Sequence, residues 1–169
     1  MKKRIRKRFF FDMDGVLAVF NFKATQEDLR TDDYWISRPC HSNMILLAFL
    51  LILLGYDVFI ITATLEDHPR AIKEKNGWLN ILLPMISSNK RIFTVCGEDK
   101  IASVPEFNPE TDILIDDYGV NCKTWEDAGG TYVKVSKNKQ DAEKEEAKHR
   151  YVIHPEMNPY DAARILIAI

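Results

Sequence analysis

Cysteine is scarce in this chain of 169 residues: only Cys40, Cys96 and Cys122, scattered and odd in number, with no Cys-x-x-Cys pair. That excludes a disulfide framework and a structural zinc site, and it fits a reducing, cytoplasmic setting. Histidine is equally sparse, four residues without the clustering of metal ligands. No charge of either sign dominates. A net charge of −2 provides no broad field for nucleic acid or a membrane surface. Long apolar runs are missing too. The greasiest stretch, Met44 to Leu54, is too short to cross a bilayer, and Gly55, Tyr56 and Asp57 interrupt it. It reads as a buried helix ended by Gly55, followed by a strand, DVFIIT. The basic start, MKKRIRKR, lacks the apolar core of a signal peptide and reads as a solvated lead-in rather than a nucleic-acid arm. Internal repeats and low-complexity tracts are absent.

What is present is alternation. Strand-like runs fall at 8–11, 57–62, 91–95, 112–115 and 131–135, with helical stretches at 43–54, 67–81, 98–103 and 121–128 between them. The strands are continuous apolar runs, as burial on both faces requires. The expectation is an α/β fold: a three-layer, Rossmann-like parallel sheet in one domain over 1–169. Residues 17–42 break the rhythm. They are polar and aromatic, too short for a domain, and read as a small cap insertion after the first strand. Residues 139–169 form an extension, read as a charged helix followed by a second helix starting at Asn158 and Pro159. The apolar end of that second helix fits packing on the domain or on a second copy of the chain.

In an open parallel sheet, ligands bind at the carboxyl ends of the strands. There the sequence places Asp12, Asp14 and Gly15, then Thr62 and Ala63, then Lys100, then Asp116 and Asp117. Carboxylates converging on one edge repel one another, and a divalent cation removes that cost. Mg2+ suits hard oxygen ligands and leaves coordination places for phosphate. A hydroxyl (Thr62), an ammonium (Lys100) and backbone N–H groups near Gly15 and Ala63 can hold phosphate oxygens. Strand alternation would put Asp12 and Asp14 on one side, one to attack phosphorus and one to reach the leaving oxygen. Each piece alone has an ordinary explanation, since Asp-rich strand ends also make turns and threonine is a good strand former. Their order and shared strand-end placement point to Mg2+-dependent phosphoryl transfer.

With these motifs the chain resembles the haloacid dehalogenase (HAD) superfamily of phosphatases. FFFDMDGV (9–16), IIT (60–62), Lys100 in GEDKI and ILIDDY (113–118) occur in that order, and the resemblance covers roughly residues 7–136. Within it, the chain is most similar to the 5'(3')-deoxyribonucleotidase-like branch, through the EDK form and the NCKTWEDAGGTYVKV ending. The resemblance implies Asp12 as nucleophile and Asp14 as acid and base. It implies Thr62 and Lys100 as phosphate-binding residues, with Gly15 and Ala63 beside them. The Mg2+ ligands would be Asp12, the Asp14 backbone carbonyl and Asp116, with Asp117 acting through water or as an orienting group. It also implies that Phe20 and Trp35 of the cap stack on a base of a nucleoside monophosphate.

The insertion is shorter than in that branch. Tyr118 stands where arginine is found there, and the extension has no counterpart. Two alternatives stay open. One is an HAD phosphatase for a sugar phosphate, another small ester or a polynucleotide 3'-phosphate. The other is a non-catalytic nucleotide-binding or assembly module, with the apolar tail helix as its interface.

Overall fold

A computed structural model describes residues 6–169; most of the basic start, residues 1–5, lies outside them. Six strands, β1 (Arg8–Phe11), β2 (Asp57–Thr64), β3 (Arg91–Val95), β4 (Asp112–Asp116), β5 (Thr131–Val135) and β6 (Val152–Ile153), form one sheet. Its order is β3-β2-β1-β4-β5-β6 and every pairing is parallel. The chain steps outward from β1 to β3, then crosses to β4 on the other side of β1. The carboxyl ends of β1 and β4 therefore flank a topological switch point, where open α/β sheets bind ligands.

Successive residues of β1 face opposite layers, as the period of a strand demands. Phe9 and Phe11 enter a core shared with α1 (Ser42–Leu53), α2 (Pro69–Leu82) and α5 (Pro159–Ala168). Phe10 enters the other core, with Ile61, Leu114 and Trp125 of α3 (Gly119–Asp127). This is the expected three-layer arrangement with helices on both faces. Gly55 takes a positive φ of 83° and ends α1, a conformation that costs glycine no side-chain clash. No helix among the described residues is long and apolar enough to cross a membrane.

The extension holds more than the two helices read from sequence. Its charged helix α4 is short (Lys139–Glu145), and β6 follows as the sixth strand. Val152 and Ile153 are too few for periodicity to reveal, so their pairing with β5 sets their conformation. The tail helix packs within the domain. Ala162, Ala163 and Leu166 of α5 join the same buried cluster as Leu47 and Leu51 of α1.

The insertion leaves and returns at one point. Val19 N–H donates to Pro39 O (2.8 Å), and His41 N–H donates to Leu17 O (2.8 Å). Between these ends, Asp28–Arg30 form a single 3-10 turn, and a small cluster joins Tyr34 and Trp35 to Ala71 of α2. Buried Glu74 of α2 accepts from the backbone N–H groups of Asp33 (3.1 Å) and Trp35 (3.0 Å). Trp78 Nε1 donates to Arg38 O (2.7 Å). The insertion is thus fastened along α2 by polar groups that would otherwise lack partners.

At the amino end of the sheet, the fully buried Asp112 accepts from Arg8 Nε (2.7 Å) and Nη2 (2.5 Å) and from Asn108 N–H (2.8 Å). Lys7 and Arg6, the other described residues of the basic start, donate to Ile167 O and Gly55 O. Arg8→Met strands a buried carboxylate. We expect a loss of about 3 kcal/mol, the lower end for a broken buried pair because the guanidinium reaches solvent. Urea unfolding should show a lower midpoint at unchanged slope; an unchanged midpoint would mean that the pair contributes nothing to stability.

Candidate active site

β1 ends at Phe11 and Asp12 follows it directly, its N–H still bonded to Ile115 O (2.9 Å) in the ladder. The chain then turns instead of continuing as a strand. Leu17 and Ala18 N–H both donate to Met13 O, and Gly15 N–H donates to Ala18 O. Asp14 lies close enough for its charge to act on Asp12 and Asp117, and the turn, not strand alternation, brings it there. Gly15 makes the turn possible. Its φ is +80°, and a Cβ on it would sit 2.2 Å from Asp117 Oδ2. That is a steric reason for glycine as well as a conformational one.

Asp12 is buried. Its Oδ1 accepts from Met13 N–H (2.8 Å) and pairs with Lys100 Nζ (3.0 Å). Lys100, on the 3-10 turn Lys100–Ser103, also donates to Asp116 Oδ2 at 2.7 Å. Asp116 is held further by Tyr118 N–H (2.7 Å) and Asn121 Nδ2 (3.0 Å). Asp117 follows it, and Lys134 donates to the Asp117 carbonyl. Carboxylate oxygens of Asp12, Asp116 and Asp117 lie within 4.8 Å of one another. A hard cation with oxygen ligands fits this donor set.

The electrostatics follow from burial. Desolvation pushes the Asp12 carboxyl well above the usual range; Lys100 opposes this, while Asp116, Asp14 and Asp117 add to it. Burial, then the charge of Asp116, pushes Asp117 up to about 7. Burial alone would lower the Lys100 ammonium, but Asp12 and Asp116 hold it above its ordinary value. Burial also pushes the Cys122 thiol up to about 12, which leaves it protonated and unreactive.

Thr62 and Ala63 lie near the end of β2, beside Asp14. Thr62 Oγ1 donates to Asp14 Oδ2 at 3.3 Å. Phe20 and Trp35 of the insertion lie near-parallel, with ring centroids 6.4 Å apart. Trp35 is only 4% exposed, its Nε1 bonded to Leu29 O (3.2 Å). Phe22 of the insertion is open, 56% exposed, with Lys137 Nζ 4.3 Å from its ring centre. A cavity of about 260 Å³ lies between Phe22, Asp117, Lys134, Ser136 and Lys137.

Sequence reasoning missed Lys75. This α2 residue is fully buried and donates to Asp14 Oδ2 (2.5 Å), Thr62 Oγ1 (2.8 Å) and Ala63 O (2.7 Å). In AIKEKNGW it looks like part of an exposed charge cluster. One signal was available: Ala71, Lys75, Trp78 and Leu79 share one helical face, so the lysine stands in the apolar stripe.

A pH dependence follows. Between about 3.8 and 7, the folded metal-free chain holds a proton on Asp117 that the unfolded chain has released. The folded state then binds more protons, so stability must fall as pH rises through that window. Thermal melts in chelator from pH 4 to 8 should show this decline, shallower in Asp117→Asn, with Mg2+ restoring stability near neutrality. A metal-free stability that climbs across the window would contradict the raised carboxyls.

No family model matches the sequence, and no curated protein matches it. Solved structures do match in fold. One is D,D-heptose 1,7-bisphosphate phosphatase from Burkholderia thailandensis, at 14% identity and a TM-score of 0.65, with 97% of this chain and 100% of that one covered. Another is a HAD family hydrolase from Deinococcus radiodurans R1 with bound phosphate and sodium, at 10% identity and a TM-score of 0.60, with 96% of each chain covered. A chain of the Pnkp1/Rnl/Hen1 RNA repair complex matches at 13% identity and a TM-score of 0.57, covering 79% of this chain and 43% of its own. With the all-parallel sheet and the carboxylates at its switch point, these likenesses identify the fold of this chain as the haloacid dehalogenase fold.

Proposed function

We propose that the chain is a Mg2+-dependent phosphomonoesterase that works through an aspartyl-phosphate on Asp12 and takes small phosphate esters, with nucleoside monophosphates as the substrate class. One observation carries the reading. A buried carboxylate (Asp12) stands among Lys100, Asp116 and Asp117, and a second aspartate (Asp14), on the same turn and bonded to Thr62, is near enough for its charge to act on Asp12. The fold adds to it, since a heptose bisphosphate phosphatase and a phosphate-bound hydrolase share it.

The reaction has two halves. Asp12 attacks phosphorus, the bond to the leaving oxygen breaks, and Asp14 gives that oxygen a proton. Water then attacks the aspartyl-phosphate, Asp14 takes up its proton, and the Asp12 carboxylate is regenerated with inorganic phosphate. Lys100 stabilises charge on the phosphoryl oxygens and on Asp12 together. Thr62 and the N–H groups near Gly15 and Ala63 orient the phosphate. Asp12, Asp116 and the Asp14 carbonyl would hold Mg2+, with Asp117 beside them, and the ion would neutralise the phosphoryl oxygens.

The nucleotide reading rests on the sequence resemblance and on the aromatic rim. Phe22 and Lys137 border the cavity beside Asp117, and an aromatic face next to a cation suits a base or sugar of an anionic ester. A second reading, a sugar phosphate or polynucleotide 3'-phosphate, draws on the heptose bisphosphate phosphatase and RNA repair likenesses. A non-catalytic assembly module joined through the tail helix is disfavoured, because the apolar face of α5 is buried inside the fold.

Phosphate release should be measured on 5'- and 3'-nucleoside monophosphates, sugar phosphates and a 3'-phosphorylated oligonucleotide, with and without Mg2+. We expect Mg2+-dependent turnover that Asp12→Asn lowers more than about a thousand-fold. Turnover confined to sugars or oligonucleotides would remove the nucleotide assignment. No turnover by folded, Mg2+-binding protein would remove the enzyme.

A further inference from the structure

Lys75 is a buried ionisable group bonded to Asp14 for which the two reaction halves have no use. Burying an ammonium is costly unless it is paired and hydrogen-bonded. Its three N–H groups match three acceptors: Asp14 Oδ2, Thr62 Oγ1 and Ala63 O. Trp35 covers it, the ring centre 4.2 Å from Nζ. Thr62 Oγ1 also donates to Asp14 Oδ2, so ammonium, hydroxyl and carboxylate oxygen close a triangle. The other oxygen of the same carboxyl, Asp14 Oδ1, is buried and has no hydrogen-bond partner among the described residues. One oxygen of Asp14 is thus clamped and the other is free. A buried polar atom without a partner needs an explanation, and proton exchange with a bound substrate supplies one.

We propose that Lys75 is a positioning residue for the acid and base. Its ammonium fixes Oδ2 of Asp14 and so leaves Oδ1 to deliver the proton to the leaving oxygen. Trp35 makes that clamp depend on the insertion. It lies on the ammonium, and its backbone N–H is held by Glu74, the neighbour of Lys75 on α2. Seating of the insertion and orientation of Asp14 therefore share one lysine. This role rests on the phosphatase reading above. It concerns a lysine other than Lys100, from a helix rather than a strand-end loop.

A merely structural or phosphate-gripping lysine would affect all esters alike. A lysine that orients the acid affects esters whose alcohol needs a proton to leave. The test compares kcat/KM, which reports steps through transfer to Asp12, for an alkyl phosphate and for 4-nitrophenyl phosphate, whose phenolate leaves unaided. Lys75→Met should lower the alkyl ester about a hundred-fold and the nitrophenyl ester less than about ten-fold. Lys75→Arg should recover part of the alkyl rate. In an Asp14→Asn background, Lys75→Met should add little, because the two act as a unit. Should Lys75→Met fail to fold, Trp35→Leu carries the test and should show the same selective loss at smaller size. Equal losses on both esters, or full additivity with Asp14→Asn, would overturn the proposal while leaving the phosphatase intact. Wild-type protein that turns over neither ester would end both.

Discussion

Repulsion among four aspartates at one edge of a sheet governs the arrangement of this molecule. Asp12, Asp14, Asp116 and Asp117 meet where β1 and β4 end, and two lysines, Lys75 and Lys100, are buried against them. Four carboxylates outnumber these two ammoniums, and Lys134 beside Asp117 only narrows the excess of negative charge. Burial and mutual repulsion therefore raise the carboxyls of Asp12 and Asp117. Each lysine serves a different pair. Lys100 bridges Asp12 and Asp116, and Lys75 bridges Asp14 to the end of β2. Asp12 and Asp14 thus each meet a different ammonium.

The fold makes this concentration of charge bearable. The strands that carry it are apolar on both faces and held from both layers, so Asp12 and Asp116 stand on a stem that does not give. At the opposite end of the same strands, Arg8 and Asp112 form a bidentate pair that ties β1 to β4. Precise placement of a catalytic group requires that kind of support beneath it. Gly15 completes the arrangement. Its missing side chain is the space in which Asp117 lies.

Much of this was legible in the sequence because the signals are local. Apolar runs marked five of the six strands, and the acidic and hydroxyl residues that close β1, β2 and β4 marked the site. β6 escaped because two residues carry no pattern. That the turn already begins at Met13 escaped, because DMDG is compatible with strand continuation as far as Asp14 until the Met13 carbonyl is seen to accept two N–H groups. Lys75 escaped because its partners lie 61 residues away in Asp14 and 13 residues away in Thr62, and lysine by composition reads as solvated. Trp35, which the resemblance implies as a residue stacking on a base, is buried by its packing on α2. In each of these cases a tertiary contact overrode what the local sequence implied.

The zipped neck of the insertion bears on how such a protein can change. Residues 17–19 and 39–41 are joined by backbone hydrogen bonds, so the segment between them is a closed loop on a fixed base. The entropy of closing a loop grows only with the logarithm of its length, about 0.6 kcal/mol for each doubling. Lengthening this segment into a larger cover is therefore thermodynamically cheap and leaves the sheet untouched. Such a change would alter what lies over the strand-end carboxylates and leave them in place. The contact of Trp35 with Lys75 limits it, because removing that ring would open a buried ammonium to solvent.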